Sequence, residues 1–228
     1  MPTIVFISPK GGVGKTTSSL VLATQFAKRG YPTTIIDADP NRPQVAWSKG
    51  GGTDYLNIVG EVDEDSIIDV IDKAAAASSV VIVDLEGSAG KVALLAVSQA
   101  DLVLIPMQAS ELDAAQASKA LRVIRDFHRM SNRTVPHAIL FTRTSGAIVT
   151  KTMRSICDNL REAGVQVMTT DLWEREAFKL MFSYNQTLEQ LDLKVAPSRD
   201  KAIANAEKLM AEVASMVAQE GGEAWLSA

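Results

Sequence analysis

The chain has 228 residues, 46% hydrophobic and 22% charged, with a formal net charge of −4. That is enough for one α/β domain spanning residues 1–228, and it argues against a constitutive nucleic-acid binder. A single cysteine, Cys157, excludes an internal disulfide and a cysteine-held zinc or iron–sulfur centre, which suits a reducing cytosol.

Thr3–Ser8 is predicted as a buried strand, short and β-branched, broken by Pro9 and glycines. Lys15–Arg29 follows as a helix, with Leu20, Ala23 and Ala27 on one face and Gly30 as its stop. Thr33–Ile36 is a strand ending in Asp37-Ala38-Asp39-Pro40, and Leu56–Val59 is a third. Gly50–Gly52 between them is expected to be a surface loop. Ser66–Ala77 has Ile67, Val70, Ile71 and Ala74 at helical spacing, and Val80–Val83 is an apolar strand ending at Asp84. A helix at Val92–Val97, a strand at Leu102–Ile105 stopped by Pro106, and a helix at Leu112–Arg129 come next. His137–Phe141 is a strand, Val149–Ala163 a helix and Val165–Met168 a strand, followed by helical stretches near Arg175–Phe182 and Arg199–Gln219. The tail 220–228 is expected to be loosely ordered. Strands alternating with helices predict an α/β fold: a mainly parallel, twisted sheet flanked by helices on both faces. No run approaches the about 20 apolar residues of a membrane span, and no basic leader is visible, so a cytoplasmic protein is expected.

The strongest chemical signal is Lys10-Gly11-Gly12-Val13-Gly14-Lys15-Thr16-Thr17, between a strand and a helix. Glycines let successive N–H groups curl around an anion, and the helix N-terminus adds partial positive charge. Lys15 would neutralise phosphate charge, and the Thr16 hydroxyl would ligate Mg²⁺. The usual pattern G-x-x-x-x-G-K-[ST] is broken at Pro9, which stands in place of the first glycine. A ligand-free glycine turn would leave two lysines five residues apart repelling one another for no return.

This segment resembles the deviant Walker A signature of the ParA/MinD family of P-loop ATPases. Ile35-Ile36-Asp37-Ala38-Asp39-Pro40, Val80–Asp84 and Leu104-Ile105-Pro106 with Leu112-Asp113 are similar to further family segments. Asp39–Pro43 with Trp47, and Glu174–Phe178, resemble the smaller ParA branch of plasmid partition ATPases and VirC-type proteins of T-DNA transfer. The resemblance implies a P-loop NTPase fold of the deviant Walker (SIMIBI-like) type that hydrolyses ATP with Mg²⁺. It also implies a sandwich homodimer in which Lys10 reaches the partner's ATP. Asp39 then positions the attacking water, and Asp84, with Thr16 and Asp37, serves the metal. For Asp37, turn or cap chemistry is an equal alternative. Relatives often have prolines where this chain has Leu85-Glu86-Gly87-Ser88-Ala89-Gly90, which leaves the role of Glu86 open.

Charge is uneven along the chain. Residues 1–118 carry 8 Lys/Arg against 14 Asp/Glu, residues 119–201 carry 14 against 9, and residues 202–228 carry 1 against 4. Lys119, Arg122, Arg125, Arg129 and Arg133 fall at helical spacing, and Lys151 and Arg154 open another helix. Such stripes suit DNA phosphates without base readout, or they are ordinary solvated helix faces. The family raises the first reading: nonspecific double-stranded DNA bound by an ATP-dependent dimer, with a ParB-like adaptor and a nucleoid-associated location. A membrane-binding tail is not expected, because 199–228 has 3 basic against 5 acidic residues. The implied role is partition of a plasmid, chromosome region or other cargo. Alternatives are a VirC-like helper of conjugative transfer and a positioning ATPase for protein clusters.

Overall fold

Eight strands form one sheet in the computed structural model, which describes residues 1–87, 90–146 and 149–221, the last three by backbone alone. Ser88, Ala89, Trp225 and the tail from 222 lie outside the described residues. The strands are β1 (Thr3–Phe6), β2 (Thr33–Ala38), β3 (Leu56–Val59), β4 (Val80–Leu85), β5 (Leu102–Met107), β6 (His137–Thr144), β7 (Gln166–Val167) and β8 (Leu172–Trp173). Their spatial order is β3-β2-β4-β1-β5-β6-β7, with β8 also paired to β6, and every pairing is parallel.

Parallel strands need crossover connections, and the helices supply them. Successive strand residues point to opposite faces, so each strand feeds two cores. Ile4, Phe6, Ile35, Ile82 and Leu104 face α1 (Lys15–Lys28), α2 (Pro43–Ser48), α7 (Glu176–Tyr184) and α8 (Arg199–Gly221). Val5, Ile36, Val83 and Ile105 face α3 (Ile67–Ala77), α4 (Lys91–Ser98), α5 (Glu111–Ser131) and α6 (Lys151–Glu162). Burial on both faces is why these strands read as unbroken apolar runs.

Three local features depart from the sequence expectation. Strand β5 runs through Pro106, which pairs in register with Leu140. Leu104 accepts from the Ile7 amide, so Leu104 and Pro106 both direct their backbone groups toward β1, and β1 ends at Phe6. The missing proline N–H therefore falls where there is no strand to receive it. Helix α2 was unpredicted, although Pro43 occupies a first-turn position that proline favours. Arg133 belongs to no basic stripe. It lies beyond the end of α5, and its guanidinium donates to the carbonyls of Ser98 (2.6 Å) and Ala100 (2.8 Å), capping the end of α4.

The apolar face of α8 is packed away: Ala206, Leu209, Met210, Val213 and Val217 are all buried in the first core. Among the described residues, no helix is long and apolar enough to cross a membrane. Trp47 is 1% exposed, and its indole N–H donates to the Met181 carbonyl at 3.0 Å, joining α2 to α7.

Trp47→Ala is expected to lower stability by about 3–5 kcal/mol in urea unfolding, with the denaturant slope unchanged. Trp47→Phe keeps a ring and loses the N–H donor, so its loss should be smaller, about 1–2 kcal/mol. Equal losses for the two would show that the hydrogen bond, not the packed ring, anchors α2.

Candidate nucleotide-binding site

The register sets the site. Strands β2 and β4 lie side by side with Asp37 opposite Asp84, and Asp84 also pairs with Phe6 at the end of β1. The chain then turns from β1 into α1, at the carboxyl ends of the strands where open parallel sheets bind ligands. Gly12 and Gly14 take φ of 73° and 94°, a left-handed backbone that side chains resist. A Cβ at Gly11 or Gly12 would meet no protein atom within 4 Å, so the space beside the loop is open. From behind, the Thr142 hydroxyl pins the loop by donating to the Val13 carbonyl at 2.6 Å.

A cleft of about 440 Å³ opens over this loop. Gly11, Gly12, Gly14, Lys15, Thr16 and Thr17 line one side, and Asp39, Glu86 and Arg143 border it. Lys15 is buried, with its ammonium 3.4 Å from the Lys10 carbonyl. Burial lowers its pKa, and the charges of Asp84, Asp39 and Glu86 oppose that only in part.

Asp84 is 1% exposed, and burial pushes its carboxyl up to about 6. The Gln44 amide, 3.0 Å from Oδ2, and the Thr16 hydroxyl hold it down. Its Oδ1 is buried without a partner. Asp37 is also buried. Its Oδ2 accepts the amides of Gln44 (2.8 Å) and Val45 (3.0 Å), capping the start of α2, while its Oδ1 has no partner. The Thr16 hydroxyl beside an unpaired carboxylate oxygen is a hard-oxygen donor set that fits magnesium.

Asp39 is half-buried, and its Oδ1 accepts the Asn41 amide (2.8 Å) and the Asn41 side chain (3.0 Å). Glu86 is exposed at the same cleft. Lys10 does not line the cleft. Its ammonium pairs with Asp113, a carboxylate 1% exposed that also accepts the Gln108 amide at 3.0 Å. Asp113 is fixed because the first turn of α5 is capped by Ser110.

Lys119, Arg122, Arg125 and Arg129 on α5 and Lys151 and Arg154 on α6 are all exposed. The two helices pack against the same sheet face, so both basic stripes share one side of the molecule. Sequence reasoning missed Gln44, Thr142 and Arg143. It also missed a small pocket beside Gly14 and Thr17 lined by Trp173, Arg175 and Phe178. Arg175 stacks over the Trp173 ring at 5.2 Å. A further clue lay in Gly146, where a Cβ would come within 2.7 Å of that ring.

A family model described as VirC1 protein matches residues 1–220. The Protein ParA of Rhizobium radiobacter is 38% identical over 208 residues, covering 91% of this chain and 93% of that protein. The Protein virC1 of Rhizobium rhizogenes is 26% identical over 194 residues, covering 79% and 80%. Among solved structures, the septum site-determining protein MinD complexed with Mg-ADP from Pyrococcus horikoshii matches with a TM-score of 0.69 at 14% identity, covering 97% and 99%. At that identity the likeness speaks for the fold alone.

The raised carboxyl of Asp84 gives a pH prediction for the protein free of nucleotide and metal. Between its unfolded value of 3.8 and about 6, the folded chain holds a proton that the unfolded chain has released. The stability due to this group is therefore full below 3.8 and is lost as pH rises through about 6. Asp84→Asn escapes that loss. In EDTA its stability relative to wild type should improve by on the order of 2–3 kcal/mol between about pH 4 and pH 7. A difference between the two proteins that is independent of pH would mean the carboxylate is not strained.

Proposed function

The chain belongs to the VirC1 family, among the ParA/MinD deviant Walker ATPases, and from that premise we propose that it hydrolyses ATP as a switch between monomer and sandwich dimer. One observation carries the reading. Lys15, Thr16 and Asp39 gather on one cleft with Asp84 buried beneath it, while Lys10 turns out of that cleft to Asp113. A lysine aimed away from its own phosphate loop is available to a neighbouring molecule.

In this reading residues 1–228 act as one ATPase domain. The amides of Gly11–Thr17 and the Lys15 ammonium take the ATP phosphates, and the added negative charge relieves the burial of that ammonium. Thr16 and Asp84 hold Mg²⁺, with Asp37 behind them, and the ion neutralises charge on the phosphates. Asp39, half-buried and with one oxygen uncommitted to Asn41, orients the attacking water. The pocket at Trp173 and Arg175, next to Gly14, suits the base. Turnover is slow until an adaptor presents a cation to the phosphates.

The basic faces of α5 and α6 serve as the DNA surface. Each is modest alone, and a dimer doubles the number of phosphate contacts, so ATP binding controls DNA affinity. The work done is partition of a plasmid or chromosome region from a cytoplasmic, nucleoid-associated pool. The VirC1 family match over 1–220 favours a second reading, a helper of conjugative DNA transfer built on the same switch.

Binding to a nonspecific duplex at moderate salt, measured without nucleotide, with ADP and with ATP plus Mg²⁺, tests the switch. Wild type should bind tightly only with ATP. Lys10→Ala should keep nucleotide and lose DNA binding, whereas Lys15→Ala should weaken nucleotide binding roughly 100-fold, the loss of a charge-assisted contact of about 3 kcal/mol. DNA affinity that is the same in all three nucleotide states would sink the dimer-switch reading.

A further inference from the structure

Gln44, in the first turn of α2, is wholly buried, and its side chain meets the metal side of the cleft from below. Its Nε2 lies 2.7 Å from Ser19 Oγ, 3.0 Å from Asp84 Oδ2 and 3.0 Å from the Thr16 carbonyl. A carbonyl and a carboxylate can only accept, so the nitrogen, not the oxygen, must face them. The amide has two hydrogens for three acceptors. Ser19 already donates its hydroxyl to the Thr16 carbonyl at 3.0 Å, so that carbonyl is satisfied. The two Gln44 hydrogens therefore fall to Ser19 Oγ and Asp84 Oδ2.

The other end of the amide is unrewarded. Gln44 Oε1 is buried with no partner. An unpaired buried oxygen is destabilising, and an apolar side chain of the same shape would avoid it. The residue is carried for its donors. Its backbone is held as well, because the Gln44 amide N–H binds Asp37 Oδ2. Gln44 thus spans the ends of β2 and β4 and the first turn of α1.

We propose that Gln44 is a positioning residue for the magnesium site: it engages Asp84 Oδ2, leaves Oδ1 to the ion's shell, and ties that carboxylate to the turn bearing Asp39. This rests on the nucleotide and metal reading given above. Partners one shell out from a metal fix ligand orientation, and their loss typically weakens metal affinity 10–100-fold.

The test titrates Mg²⁺ into the 228-residue protein with a fluorescent ADP analogue, and repeats it with Mn²⁺ followed by electron paramagnetic resonance. Gln44→Met should raise the Mg²⁺ concentration at half-saturation roughly tenfold and alter the Mn²⁺ spectrum, while analogue binding in EDTA stays within about twofold of wild type. Ser19→Ala keeps Gln44 and cuts its anchor. It should shift the same midpoint by a smaller factor, and it carries the test if Gln44→Met does not fold. Should Asp84→Ala lose Mg²⁺ dependence while Gln44→Met and Ser19→Ala keep the wild-type midpoint, the Gln44 proposal is overturned and the site reading stands. Unchanged Mg²⁺ dependence in Asp84→Ala would bring down the metal-site reading and this proposal with it.

Discussion

A buried ammonium needs a counter-charge, and Lys15 finds only part of one within its own chain. Asp84, Asp39 and Glu86 pull on it, yet burial still wins and its pKa is lowered. The carboxylates have the converse difficulty. Asp37 and Asp84 are neighbours in register at the ends of β2 and β4, both buried, both raised, each with one unpaired oxygen. Such a site stores unfavourable electrostatics that a polyanion and a divalent cation together would neutralise. The parallel sheet creates the problem, because its strand ends converge there, and the fold around the cleft keeps it in place: Thr142 behind the loop, Gln44 beneath Asp84, Asp37 on the start of α2.

The same logic explains Lys10. A second cation inside the cleft would face Lys15 with too little negative charge to share. Asp113 takes it instead, at the first turn of α5, where Ser110 and the Gln108 amide hold the carboxylate still. The lysine side of the pair meets solvent, but Asp113 is 1% exposed, so the lysine leaves only for a partner that outweighs a buried carboxylate. A phosphate oxygen of a neighbouring molecule, carrying more charge than one carboxylate, is the kind of partner that would win that exchange.

Much of this could be read before any coordinates, and the reason is periodicity. Fully buried strands such as Val80–Val83 have one pattern, amphipathic helices such as Ile67–Ala77 another, and glycine loops a third. The phosphate loop was legible because its chemistry is local: seven consecutive residues make the cradle. What escaped was non-local or very short. Gln44 is an ordinary polar residue in sequence, and only the fold brings it to Asp84, forty residues on. The anchoring role of Trp47 is equally non-local, since its partner, the Met181 carbonyl, lies 134 residues away. Pro106 looked like a strand terminator, since no pattern announces that β1 stops short beside it. Arg133 fitted the charge periodicity of α5 although the helix ends at Ser131. Period arguments continue a pattern past the point where the backbone has turned.

The placement of α2 bears on how the two halves of the site act together. Asp39 and Gln44 are separated by a short turn that Pro43 stiffens and that the Arg42 amide closes on the Asp39 carbonyl at 2.9 Å. One end of this segment borders the open cleft, and the other is locked to Asp37, Ser19 and Asp84 by hydrogen bonds of 2.7–3.0 Å. Trp47 then fastens the helix to α7, whose Phe178 lines the small pocket beside Gly14. Asp84 is therefore joined through packed and hydrogen-bonded contacts to Asp39 and to the pocket at Trp173 and Arg175. Rigid links of this kind transmit small shifts without needing large motion. In the function proposed above, such links would let occupancy of a metal shell at Asp84 and of the pocket at Trp173 bear on the same carboxylate, Asp39, through the two ends of one short helix.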